Sequence, residues 1–170
     1  MRLRAGLMLL CVALLPALFA GCGSGPSDEA SDAVARWAIG QGGKVTIAGG
    51  NTELQRIEQL PDKPFAIERL NLNGADVGSK DLRDQDLTGL TSLKYLGLHS
   101  TDVTDKTLDT IAGIKTLTEL ELSNTQITDA GLAKLAELKG LKTLYLYNNT
   151  LSKPAITRLK QQLPNCAIYH

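Results

Sequence analysis

Cysteine is nearly absent from this 170-residue chain, with three in all, and Cys11 lies inside an apolar N-terminal run. Cys22 and Cys166 remain, too few for a disulfide framework, and no disulfide is expected in the mature chain. Histidine is as scarce, present only as His99 and His170. No HExxH, CxxC or GxSxG occurs, so metalloprotease, zinc-ribbon and serine-hydrolase chemistry have no anchor. Excess charge is lacking too: 18 basic residues face 18 acidic ones. Removing the first 21 residues takes away Arg2 and Arg4 and leaves acids ahead by two. The clustered basic face that a nucleic-acid partner requires is missing. What is present, 43% hydrophobic and 21% charged residues, suits one ordinary globular domain.

The N-terminus has the order of an export signal, with Arg2 and Arg4 followed by an uncharged stretch from Ala5 to Ala20. That stretch falls short of the roughly 20 residues of a permanent membrane span. Ala20, Gly21 and Cys22 resemble the lipobox of bacterial lipoproteins, with Phe19 where leucine is commonest and Leu18 one residue earlier. The resemblance implies a diacylglycerol thioether on Cys22 and an amide-linked acyl chain, palmitate among the candidates, and two chains are what stable anchoring requires. An ordinary signal cut after Ala20 and an uncleaved anchor are the alternatives, and both also place the domain outside the cytoplasm. Residues 1–21 are therefore the signal peptide and 22–27 the lipidated cysteine with a Gly/Ser/Pro linker. Gly23, rather than the aspartate that resembles an inner-membrane retention signal, favours an outer membrane, with the domain facing the periplasm or the surface.

A period organises the rest. Leu93, Leu96, Leu98, Thr101, Val103, Leu108, Ile111 and Ile114 recur 24 residues later as Leu117, Leu120, Leu122, Thr125, Ile127, Leu132, Leu135 and Leu138. Another copy starts at Leu141, and an earlier one at Ile67 is 26 residues long, its extra residues lying between Leu82 and Leu87. Leu163, Cys166 and Ile168 repeat the opening spacing, which places Cys166 level with Leu96 and Leu120. This pattern resembles leucine-rich repeats, and Thr128 to Leu132 looks like the cysteine-containing subclass with threonine in place of cysteine. In each unit an LxL tripeptide alternates as a strand and the second half has helical spacing. Thr104 and Thr128 are set to cap helices, with Asp105 and Asp129 opposing the dipole of the same helix.

The expected fold is thus α/β, a leucine-rich-repeat solenoid: a short horseshoe with a concave parallel sheet and convex helices over residues 67–170, closed by a C-terminal strand. Residues 28–66 form its N-terminal cap. Within the cap, Ser27, Asp28 and Glu29 start a helix with Ala33, Val34 and Trp37 on one face; the 45–47 strand follows, and Leu54, Ile57 and Leu60 continue it.

Few side chains invite chemistry. Cys166 is read as a small buried hydrophobe. The stretch from Gly74 to Lys80 imitates a phosphate loop, but Ser79 separates Gly78 from Lys80. Asn148, Asn149 and Thr150 make a glycosylation sequon in which Asn149 is expected to bond the loop backbone. Asp102, Asp105, Asp109 and Asp129 lack the spacing of a calcium loop. No catalytic residue, metal or cofactor is expected, and the chain is not an enzyme. The register turns Arg69, Tyr95, Glu119 and Thr143 outward, then Asn71, Gly97, Glu121 and Tyr145, then Asn73, His99, Ser123 and Tyr147. Tyr95, His99, Glu119, Glu121, Tyr145 and Tyr147 are the candidate binding residues. Their tyrosine area and acidic charge suit a basic or hydrogen-bond-donating partner, a protein or an envelope polymer, held by a monomer. A structural lipoprotein that associates with itself is the alternative.

Overall fold

The computed structural model describes residues 28–170; the expected export signal, Cys22 and the expected linker lie outside them. Six strands form one sheet in sequence order: β1 (Lys44–Ile47), β2 (Ile67–Asn71), β3 (Tyr95–Gly97), β4 (Glu119–Glu121), β5 (Thr143–Tyr145) and β6 (Ala167–Tyr169). β1 runs antiparallel to β2, and every later pair is parallel. Helices α1 (Ala30–Gly40), α2 (Ser79–Arg83), α3 (Asp105–Gly113), α4 (Asp129–Leu132) and α5 (Lys153–Gln162) complete the units, and a 3-10 turn, Ala133–Glu137, extends α4. This is the α/β leucine-rich-repeat solenoid that the period implies.

The period acts through register. Leu70, Leu96, Leu120, Leu144 and Ile168 stand side by side in the ladder and point into the core. One unit leaves such a row exposed on both flanks; the stack buries it. Leu108 and Ile111 of α3, Leu132 and Leu135 of the next unit, and Ile156 and Leu159 of α5 close the core from the convex side. Beyond each of β2, β3, β4 and β5 the backbone turns through a left-handed residue: Gly74, Ser100, Asn124 and Asn148 have φ between 55° and 69°. Asn is among the residues that tolerate this conformation. The inner side of that turn is held by Thr101 and Thr125, whose hydroxyls donate to Leu98 O and Leu122 O, and by Asn149. Asn149 Nδ2 donates to Leu122 O at 2.8 Å and Oδ1 accepts from Thr125 N at 2.9 Å, the internal role expected of it.

Several expectations need correction. Asp105 and Asp129 do not serve only their own helices. Asp105 accepts from Thr128 N at 2.8 Å and from its hydroxyl at 2.6 Å, and Asp129 accepts from Ser152 N at 2.9 Å, so each ties one unit to the next. The close approach explains Gly131, where a Cβ would lie 2.1 Å from Asp105 Oδ1. In the cap, Ala33 is exposed, and Ser31, Val34, Ala35 and Ala38 form the inner face of α1. Asp28 bonds the Ser31 hydroxyl and accepts from Thr91 N at 3.1 Å, while Ser31 accepts from Ile67 N at 3.0 Å. A tertiary clasp thus stands where a helix cap was expected. Ile57 is 41% exposed and covers nothing; Leu60 alone of its turn is buried.

The last strand is also displaced from its expected register. Ile168, not Cys166, pairs with Leu144. Cys166 N bonds Leu163 O as Leu141 N bonds Leu138 O, so Cys166 takes the place of Leu141 at the head of the unit. It is half-buried, and desolvation pushes its thiol up to about 11. A thiol so disfavoured as thiolate is a poor nucleophile.

Candidate functional site

The residues between the inward leucines form the outer face of the sheet. The register places Tyr95 beside Glu119 and Glu121 beside Tyr145, so the two glutamates of β4 lie between tyrosines on either side, one level apart. Neighbouring strands are separated by about 4.8 Å, which brings these side chains within mutual reach.

At the β2 side the face is internally satisfied. The Arg69 guanidinium sits over the Tyr95 ring, 3.9 Å from its centroid, and its Nη1 is 3.5 Å from Glu119 Oε2. Asn73 Nδ2 donates to the Tyr95 hydroxyl at 3.2 Å. Tyr95 therefore points outward as expected but is only 8% exposed. Its phenol is raised above the ordinary range, burial outweighing the Asn73 bond and the Arg69 charge. Tyr95 is a wall of the site rather than a free contact. Gly97 leaves room for this packing: a Cβ there would lie 2.5 Å from the Tyr95 hydroxyl.

The β5 side is open. Tyr147 is 46% exposed and Tyr145 half-exposed. Tyr169, which the sequence reading did not select, pairs with Tyr145 across β5 and β6; their rings stack at 5.1 Å with 14° between planes. All four tyrosines thus share one face. Counting 24 residues on from Tyr145 reaches Tyr169, and that count was the available signal. The Tyr145 phenol is raised by partial desolvation first and then by Glu119, Tyr169 and Glu121.

Two residues expected to face outward behave differently from each other. His99 is exposed, and its backbone N–H donates to Asn73 Oδ1 at 2.8 Å. Ser123 is buried at 2% exposure, its hydroxyl accepting from Tyr147 N at 3.1 Å. It is a splice between strands, not part of the outer surface. Glu121 Oε1 accepts from Ser123 N at 3.0 Å, which fixes that carboxylate beside Tyr145. Among the described residues, no ion pair reaches Glu121, whereas Glu119 has Arg69.

A hollow of about 670 Å³ lies elsewhere, on the cap, lined by Asp28, Asp32, Arg36, Lys63 and Phe65 among others. Its polar groups are engaged in structure: Arg36 is paired with Asp32 at 2.8 Å, and Asp28 belongs to the clasp with Ser31 and Thr91. Among the described residues no three potential ligand side chains gather to hold a metal, and no helix is long and apolar enough to cross a membrane.

A family match over part of the chain agrees with this architecture. Residues 115–160 match the family described as Leucine Rich repeats (2 copies). An internalin from Listeria monocytogenes is similar in structure, with 24% identity and a TM-score of 0.43 over 49% of this chain and 23% of its own. A leucine-rich-repeat protein from Leptospira interrogans is similar at 27% identity and a TM-score of 0.46, over 67% of this chain and 27% of its own. The chain spans about a quarter of the length of these solved structures. No curated protein matches it. Solenoids of this class generally present extended surfaces for protein–protein contact rather than catalysis.

Proposed function

We propose that this chain is an exported protein, tethered to a bacterial membrane by a lipid on Cys22, whose concave sheet captures a protein partner. The observation that carries the reading is the open end of that sheet, where Tyr145 stands beside Glu121, which has no ion pair among the described residues, with Tyr169 stacked behind it and Tyr147 further along the same strand line. Tyrosine offers contact area with few rotatable bonds and a polar tip, which suits it to interaction surfaces. His99, Glu119 and the walled-in Tyr95 border the same face. The Arg2 to Cys22 sequence supports export and lipidation by its composition, and the 22–27 linker is short enough to keep the domain close to the lipid.

The test of capture is a photo-crosslinking residue placed at position 147, with position 106 on the convex side as comparison, in the full chain in its native cells. A discrete adduct from position 147 and none from 106 supports the concave face. An adduct from 106 alone overturns it, and an adduct that is a second copy of the chain replaces capture with self-association. Anchoring has a separate test: metabolic fatty-acid labelling marks the native chain and not Cys22→Ser, and labelling of the variant contradicts a lipid at Cys22.

A further inference from the structure

The concave face sets a glutamate beside a tyrosine twice, with a cation on the far side of the tyrosine in one case and a second tyrosine there in the other. At the first level, Tyr95 and Glu119 are register partners on adjacent strands, and Arg69, the next partner along the same level, covers the Tyr95 ring at 3.9 Å and reaches Glu119 at 3.5 Å. At the second level, Glu121 and Tyr145 are again register partners on adjacent strands. Here the residue on β3 is Gly97, which has no side chain to place over the pair, and the residue on β6 is Tyr169, which stacks behind Tyr145. Glu121 is held in position by the Ser123 N–H and has no ion pair among the described residues.

We propose that this second level receives one arginine or lysine side chain of the protein partner, lying against the face of the Tyr145 ring that Tyr169 leaves free and paired with Glu121. The inference rests on the concave face being the capturing surface. Charge complementarity selects the occupant. On this face Lys44, at the level of Asn71, pairs with Glu53 and Arg69 with Glu119, which leaves Glu121 as the carboxylate without an ion pair among the described residues. A cation over an aromatic face gains from the ring quadrupole as well as from the carboxylate, and the planar guanidinium does so better than the ammonium. Tyr169 stiffens the Tyr145 ring from behind, and Tyr147 stands two residues further along the same strand line to meet the rest of the partner segment.

The probe is a short acetylated and amidated Gly-Arg-Gly-Arg-Gly peptide, titrated against the isotope-labelled full chain in detergent and followed by amide chemical shifts. Its counterpart with citrulline, a neutral isostere of arginine, is the comparison. We expect saturable shifts centred on residues 121, 145 and 147, weakened about fivefold or more by citrulline and by Glu121→Gln. Gln keeps an oxygen for the Ser123 N–H, so the variant retains the local fold, and its unchanged amide spectrum away from the site verifies this. Tyr145→Leu is the second variant and should weaken binding similarly. Equal binding of the citrulline peptide, or shifts indifferent to both substitutions, overturns the cation site. The crosslink from position 147 is read separately: a partner captured there while the arginine peptide fails would retain the concave surface and remove only its proposed cation.

Discussion

The two sides of the concave sheet use the same residue types and end in different states. Near β2, a tyrosine and a glutamate enclose an arginine of the same chain, and Tyr95 disappears from the surface. Near β5, a tyrosine and a glutamate have only other tyrosines for company, and Tyr147 and Tyr169 remain 46% and 44% exposed. The difference arises at two positions. Across the tyrosine from the glutamate stands Arg69 on one side and Tyr169 on the other. A tyrosine on a strand is therefore neither core nor contact by type; what its cross-strand neighbour carries decides.

The largest expected effect tests the register on which this contrast depends. Leu120→Ala should lower unfolding free energy by about 2 to 5 kcal/mol as a core truncation, while Glu119→Ala next to it should change it by about 0.5 or less. Chemical denaturation of the two variants checks this, and similar losses would place both residues on the wrong faces. Asn149→Ala comes next. It removes the acceptor of the Thr125 N–H and the donor to Leu122 O in a partly buried loop, and should cost about 1 to 3 kcal/mol by the same measurement. Asn148→Ala, at a left-handed turn position, should cost less.

A smaller effect comes from Tyr95. Its phenol is raised above the ordinary value of 10.0, so the neutral form is favoured in the folded state. That contribution is fully present below the unfolded value and is lost as pH rises through the folded one. Ultraviolet titration should show a late-ionising component that Tyr95→Phe reduces to the share of Tyr145, whose phenol is raised as well, with alkaline unfolding following the Tyr95 share. The smallest effect is at the far edge. With its thiol at about 11, Cys166 should react with iodoacetamide at pH 8 roughly a hundredfold more slowly than an unperturbed cysteine.

Most of the scaffold was legible because the 24-residue period is a direct image of the stacking: each inward leucine recurs where its neighbour in the ladder must be. The N-terminal cap was less so. Ala33 and Ile57 have apolar side chains but no repeat to reveal their orientation, and the clasp from Asp28 and Ser31 to Thr91 and Ile67 joins segments far apart in sequence. Period-2 alternation showed which side chains face outward and not which are then covered. Tyr95 and Ser123 were placed on the correct side, yet the cover over Tyr95 and the Ser123 bond to Tyr147 depend on distances between strands. The last strand misled because LxxCxI imitates LxxLxL, whereas the chain from Leu163 to Ile168 is a compact turn that puts Cys166 at the head of the unit and Tyr169 beside Tyr145.

The central claim is that the open, tyrosine-bearing side of the sheet is the binding surface. It is tested most directly by measuring the affinity of the crosslinked partner, once identified, for Tyr145→Ala and for Lys106→Ala, an exposed position on α3. The account predicts that Tyr145→Ala weakens binding by more than about 1 kcal/mol and Lys106→Ala by little; a loss at Lys106 with none at Tyr145 would contradict it.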